Sequence, residues 1–326
     1  MSALADLRAV RLTRRYAEEV PIAPIAMLIA LVILFTLSEP TFLSTDSFQV
    51  VAANAAGILI FAIGETVMIL TGRIDLSVGG VASLATVLTP KLIPTLHWFA
   101  LPVVVVLFAF IGLAQGWIHL TLRLPSFVVT IAGLFIWDGV ALAITSGNEL
   151  ALPFDHNPTT WLSGTEYTLN IPNSVIVVGV VLLLSAAALR WLPIGRRIYA
   201  VGVSERAAIV AGLSVRRTVL LSFAFSAACA AIGGLIVLAT SNAGNSGAAD
   251  GELLPAITAV VIGGTAITGG SGGLGRTLIG ALILAVLVVG MTIAGWAPEL
   301  QQVIYGVILI VAVLVTTNRQ KVSIVK

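Results

Sequence analysis

Residues 98–121 read WFALPVVVVLFAFIGLAQGWIHLT, a run with no Asp, Glu, Lys or Arg. Wound as α-helix at about 1.5 Å per residue, it is long enough to cross a hydrocarbon core about 30 Å thick. Nine further apolar segments lie at 22–37, 48–71, 74–93, 125–145, 173–192, 217–240, 254–268, 277–296 and 299–317. Over the 326 residues, 58% are apolar and only 10% are charged, with a mean hydropathy of +1.08. A water-soluble globule of this length needs far more surface charge, so the bilayer is the solvent for most of the chain. The expected fold is an all-α, polytopic membrane protein with about ten transmembrane helices, forming a single domain over 1–326.

Two segments depart from a plain span. Residues 74–93 are flanked by Gly72, Gly79 and Gly80, and residues 254–268 by Gly263, Gly264, Gly269 and Gly270. Either is expected to be a broken or re-entrant helix. At the N-terminus, Arg8, Arg11, Arg14 and Arg15 precede the first apolar run, but no small-x-small cleavage site follows it. It reads as a retained first span.

Orientation follows from the distribution of Lys and Arg. With the N-terminal segment 1–21 in the cytoplasm, the inside holds Arg8, Arg11, Arg14, Arg15, Arg73, Arg123, Arg190, Arg196, Arg197, Arg206, Arg216, Arg217, Arg276, Arg319, Lys321 and Lys326. Only Lys91 of the seventeen falls outside. One span too many or too few would scramble that asymmetry, so the count supports an even number of crossings, with the tail 318–326 also inside. Two connections are long. The outer loop 146–172 is acidic, with Glu149, Asp155 and Glu166; the cytoplasmic loop 193–217 reads PIGRRIYAVGVSERAAIVAGLSVRR. Its centre predicts a short helix: Ser204 caps it, Glu205 sits in the first turn, an Ala-rich stretch follows and Gly212 ends it. A short capped helix between two cytoplasmic span ends is something a soluble motor can grip.

With these residues in view, the chain resembles the permeases of ribose-type ATP-binding-cassette importers, the group that also serves xylose, arabinose and galactose. The likeness is carried by Pro40-Thr-Phe-Leu-Ser44, Ile74-Asp-Leu-Ser-Val-Gly79, Leu124-Pro-Ser-Phe-Val128 with Thr130 to Gly133, Gly202 to Gly212, Ala259-Val-Val-Ile-Gly-Gly-Thr265 and Gly269 to Gly275. The resemblance implies a second permease subunit (the same chain or another), a cytoplasmic sugar-type ATPase and an extracytoplasmic solute-binding protein. It also implies that Ser204, Glu205, Arg206, Ala207, Ala208, Ala211 and Gly212 form the coupling helix that docks on the ATPase. Three charges depart from the family pattern: Glu65 stands where Met is common, Arg73 where Gly is common and Asp138 where Arg is common.

The translocation pathway is expected among polar residues on apolar spans: Asn54, Glu65, Asp75, Ser77, Thr130 and Asp138. Each also has a bland reading. Intramembrane carboxylates cost roughly 2.5–3.5 kcal/mol at mid-membrane and demand partners or water, but they also tie helices together. For Asp75 and Ser77, near the end of their span, capping of a broken helix is the favoured reading. Neutral Asn54, Thr130 and Thr145 suit sugar hydroxyls and serve interhelical hydrogen bonding equally well. Arg73 is expected to balance Glu65 or Asp138.

Other chemistries find no support. Gly270-Ser-Gly272-Gly-Leu-Gly275 matches G-x-G-x-x-G in form, but it precedes a membrane span and no acidic residue follows until Glu299. Its glycines, with Gly72, Gly79, Gly263 and Gly264, read as structural breaks. No G-x-x-x-x-G-K-[ST] occurs, so ATP and its Mg²⁺ belong to another chain, and no cofactor is expected in this one. His97, His119 and His156 lack metal-ligand spacing, and Cys229 is a lone cysteine inside an apolar run; no metal and no catalytic residue are expected. Trp98, Trp117, Trp161, Trp191 and Trp296 fit an interfacial belt against membrane lipid, with Trp137 the mid-span exception. No basic stripe suggests nucleic acid. Three classes compete: a permease worked by a separate ATPase, an ion-coupled secondary transporter acting alone, and an intramembrane enzyme. The docking loop favours the first, Glu65 and Asp138 keep the second open, and the third lacks an assembled constellation.

Overall fold

The computed structural model describes residues 22–152, 158–166, 171–297, 299–300, 303–304, 306–308 and 310. The segments 1–21 and 318–326, most of the tenth apolar run and Asp155 lie outside the described residues. Within them the protein is all-α. The helices are α1 (Ile22–Ser38), α2 (Thr45–Leu70), α3 (Val78–Leu96), α4 (Ala100–Leu122), α5 (Ser126–Thr145), α6 (Asn173–Trp191), α7 (Pro193–Val203), α8 (Glu205–Val210), α9 (Val215–Ser241), α10 (Leu253–Ile262) and α11 (Leu274–Ile293). Strand pairing is confined to two-residue contacts, Leu150–Ala151 with Ala243–Gly244 and Thr165–Glu166 with Ile171–Pro172.

Among the described residues, six helical stretches are long and apolar enough to cross a membrane. One of them, Val78–Leu122, is 45 residues long, about twice what a bilayer needs. The chain reverses within it at His97, whose φ is 48°. The Ser77 hydroxyl, at the start of α3, lies 3.2 Å from Gln115 near the end of α4, so the two legs run antiparallel. The core is built by α2, α9 and α11, whose faces are largely buried. Small residues make this close packing possible: Ala227, Cys229, Ala230, Ala231, Gly233 and Gly234 line the buried face of α9. In contrast, α4, α5 and α6 keep broad apolar faces outward, as Phe110, Phe135 and Leu183 illustrate.

The two segments expected to be irregular are so. Residues 71–77 between α2 and α3 are not helical, and they fold back into the protein before α3 begins. The second case is shorter than expected, because α10 has ten residues and spans only about 15 Å. It is preceded by chain that runs beside α3: the Thr86 hydroxyl donates to the carbonyl of Asn245, the amide of Ala249 donates to the Ser83 hydroxyl, and Asp250 reaches Gly79. Residues 243–252 thus descend along α3 before α10 starts. Beyond Ile262 the chain turns through Gly264, Gly269, Gly270 and Gly272, all at positive φ. Gly79 and Gly275, by contrast, lie in the first turns of α3 and α11, and nothing approaches the Cβ position of Gly275. Gly275 is therefore not a break.

The loop 193–217 holds a further helix besides the short one expected at its centre. Pro193 ends α6 and occupies the first turn of a second helix, α7, where its missing N–H costs nothing. The predicted helix follows as α8, with the Ser204 hydroxyl accepting from the Ala207 amide and Gly212 at a φ of 76°.

Candidate functional site

Three polar clusters lie in the bundle, and the third of them joins the loop 193–217 to the interior. The first gathers where residues 71–77 re-enter the bundle. Asp75 and Glu65 are 1% and 0% exposed. The Asp75 amide donates to Glu65 Oε1 at 3.2 Å, Ser77 donates to Asp75 Oδ1 through both its amide (3.0 Å) and its hydroxyl (2.6 Å), and Ser226 of α9 donates to Asp75 Oδ2 at 2.8 Å. Both oxygens of Asp75 are therefore satisfied, and they hold Ser77, the residue before α3, whose own hydroxyl makes no capping bond to that helix. Glu65 Oε2 and Gln115 Nε2 have no hydrogen-bond partner among the described residues. Ser226 and Gln115 gave no sequence signal, since an isolated polar residue on an apolar span announces no partner.

The second cluster surrounds Asp138 in α5. Its carboxyl faces Asp250, the backbone of Gly247 and the hydroxyl of Ser83, at the contact of α3 with the descending segment 243–252. Asp138 Oδ1 is buried without a hydrogen-bond partner among the described residues. Two carboxyl groups thus meet beside non-helical backbone, a setting found where a polar pathway is lined. Asp250 was not a candidate from sequence, because the small polar run AGNSGAADGE reads as surface loop.

The third cluster corrects the expectation for Arg73, which pairs with neither Glu65 nor Asp138. Its Nη2 lies 2.5 Å from Glu205 Oε1 of α8, its Nη1 donates to the Thr71 carbonyl at 2.9 Å, and its Nε donates to His119 Nε2 at 2.9 Å. Because His119 Nε2 accepts, Nδ1 carries the ring proton and donates to the Leu124 carbonyl at 2.6 Å. The Arg73 side chain is 8% exposed and Glu205 49%. The loop is fastened at two further points. Tyr199 of α7 donates to the Gly272 carbonyl at 3.1 Å. Gly202 sits so close to Leu70 and to the amide of Gly270 that a Cβ there would lie 2.6 Å from that amide, while the Gly270 amide itself donates to the Leu70 carbonyl. One loop therefore contacts both irregular segments, 71–77 and 263–273.

The remaining candidates are dispersed. Thr130 is buried and donates to the Ser126 carbonyl of its own helix, and Thr145 does the same to Leu142. Asn54 donates to Val50 and lines a separate cleft of about 300 Å³ with Asp46, Ser47 and Thr292, between α2 and α11. On α8, Glu205, Arg206 and Ala207 are exposed, as are Ala211 and Gly212 that follow it, while Ala208 is 3% exposed and turns inward. The largest apolar exposures on this loop are Ile209 at 62%, Val203 at 73% and Val210 at 88%. An apolar side chain left open at a helix end is the missed signal: Ile209 and Val210 sit inside an ordinary-looking Ala-Ala-Ile-Val-Ala string.

A family model described as branched-chain amino acid transport system / permease component matches residues 47–313. Among curated proteins, a probable ABC transporter permease protein YphD of Escherichia coli strain K12 is 35% identical, with 92% of this chain and 90% of that protein covered. The ribose import permease protein RbsC of the same strain is 32% identical over 91% of this chain and 93% of its own. The galactofuranose transporter permease protein YtfT, also of strain K12, is 35% identical over 84% and 80%. No solved structure matches the chain.

Proposed function

Because this chain belongs to the family of ATP-binding-cassette transport permease components, we propose that it imports a monosaccharide or a similar small polar solute handed over by an extracytoplasmic binding protein. The chain is a transport component of the bacterial inner membrane, not an enzyme. ATP and Mg²⁺ are assigned to a cytoplasmic sugar-type ATPase, and a second permease subunit completes the membrane part. Ten crossings with both termini inside fit the one-sided Lys and Arg count. Relatives whose names specify ribose or galactofuranose support a sugar as the solute.

The observation that carries the reading is the exposed apolar tip formed by Ile209 and Val210 on a capped helix whose other side is tied to the core through Arg73. An apolar surface of this kind is the property of an interface, here with the ATPase. In this mechanism, closure of the ATPase moves α8. The Arg73–Glu205 pair and the Gly202, Gly270 and Tyr199 contacts carry the movement to residues 71–77 and 263–273. The spans then shift between outward-open and inward-open arrangements, whose relative stability ATP binding biases. Asp138 and Asp250 are proposed to face the passing solute.

Val210→Cys tests the assignment, since Cys229, the chain's one native cysteine, is buried. The new thiol should react with a membrane-impermeant maleimide in inverted vesicles and form a cross-link to the co-purified ATPase. Labelling only in right-side-out vesicles would refute it. An ion-coupled transporter acting alone is the competing reading, favoured only by the buried carboxyls.

A further inference from the structure

On the membrane side of the same loop lies an apolar groove of about 400 Å³, lined by Val67, Ala109, Leu189, Ile194, Leu221 and Phe225 among others. Helices α6 and α9 both pack on α2, and the groove is the slot between them, with Val67 of α2 in its floor. Along α9 it extends from Leu221 to Ala228, about 10 Å of helix. At its cytoplasmic end it is closed by Ile194 and Ile198 of α7.

A slot open to the hydrocarbon does not stay empty, because its walls lose their dispersion contacts unless something fills it. The lining is almost wholly apolar, with Ser185 and Ser222 the only hydroxyls, and the Ser222 hydroxyl is already used on the Thr218 carbonyl. The mouth has the opposite character. Arg190 follows Leu189, Arg197 lies between Ile194 and Ile198, and Arg217 stands one turn before Leu221 on the same helix face. All three are exposed, and none forms an ion pair among the described residues. An apolar depth with three exposed arginines on the segments that form one end of it suits an acyl chain joined to a negative headgroup.

We propose that this groove is a binding site for an anionic phospholipid of the cytoplasmic leaflet, one acyl chain lying between α6 and α9 and the phosphate among Arg190, Arg197 and Arg217. The leaflet assignment rests on the cytoplasmic placement of residues 193–217. Since α7 forms the end wall and continues into α8, the lipid braces the loop that carries the coupling helix.

The test uses the full chain in phosphatidylcholine nanodiscs carrying a trace of phosphatidylglycerol with a photoactivatable acyl chain, compared with the equivalent phosphatidylcholine probe. Peptides covering Ser185–Leu189 and Leu221–Ala228 should be labelled by the anionic probe about fivefold or more above the zwitterionic one, roughly the factor that one arginine near the surface contributes. Ala224→Trp, or the milder Ala188→Leu, should fill the slot and remove the labelling while the protein stays monodisperse. Arg197→Gln with Arg217→Gln should keep the labelling and lose the preference. Equal labelling by both probes in the wild type, or labelling that survives both filling variants, would overturn the proposal. So would a disulfide between two copies of Ala224→Cys with no labelling, which would place a second permease in the slot. Nanodiscs expose both faces, so this outcome is independent of the sidedness of Val210.

Discussion

If the Arg73–Glu205 pair transmits movement from α8, removing it should hurt function more than it hurts insertion, and the two residues should act as a unit. The pair lies between two regimes. Exposed ion pairs contribute about 0.2–1 kcal/mol, whereas stripping the partner from a buried charge costs about 3–5 kcal/mol. Arg73 is nearly buried and Glu205 half exposed, so an interaction of about 1–2 kcal/mol is expected, a factor of roughly 5–30 in an equilibrium. The two single variants should not be equal. Glu205→Ala leaves a buried guanidinium with only the Thr71 carbonyl and His119. Arg73→Ala leaves a carboxylate that water reaches. The assay is a double-mutant cycle on solute-stimulated ATP hydrolysis by the reconstituted complex, with the melting midpoint of the solubilised chain read alongside. Both singles should lower stimulation severalfold, Glu205→Ala lowering the melting midpoint more, and the double variant should be no worse than the poorer single. Stimulation losses that simply multiply, with no interaction energy, would refute the link.

Other outcomes follow from the same geometry. Ser204→Ala removes the hydroxyl that caps α8 and should cost about 0.5–2 kcal/mol of local stability; ATPase stimulation should fall while the amount of chain in the membrane stays the same, and an unchanged stimulation would count against α8 as the coupling element. Glu65→Gln keeps an acceptor for the Asp75 amide and removes an ionisable group from the interior, so the melting midpoint should hold or rise, whereas Asp75→Ala takes the acceptor from the Ser77 amide and the Ser226 hydroxyl and should lower it. Gly202→Val drives a side chain into Leu70 and Gly270 and should abolish monodisperse protein on size exclusion. Gly139→Ala, at a position with nothing within 4 Å, should leave the profile unaltered.

The spans were the most legible part of the chain, because apolar length is itself the physical signal. The runs read at 98–121, 125–145 and 173–192 became helices at Ala100–Leu122, Ser126–Thr145 and Asn173–Trp191. Irregularity was legible where glycine marks it, at Gly72 and from Gly263 to Gly272, but its extent was not. The path of residues 243–252 was not legible, since nothing local says that Ser83 and Thr86, one turn apart on α3, would partner that backbone. Pro193 read as a loop residue although it opens α7. Arg73 found its partner 132 positions away, outside the set of intramembrane acids among which a counter-charge was sought. The cap of α8 was visible because Ser204, Glu205 and Gly212 are contiguous. The inward turn of Ala208 and the exposure of Val210 depend on packing, which no string of residues displays.

The most direct measurement is solute uptake into proteoliposomes that contain this chain, with and without its ATPase and binding protein. Uptake should require all the components together with ATP on the ATPase side, and it should collapse when Val210 is cross-linked away from the ATPase. Uptake by the chain alone, driven by an ion gradient, would contradict the account.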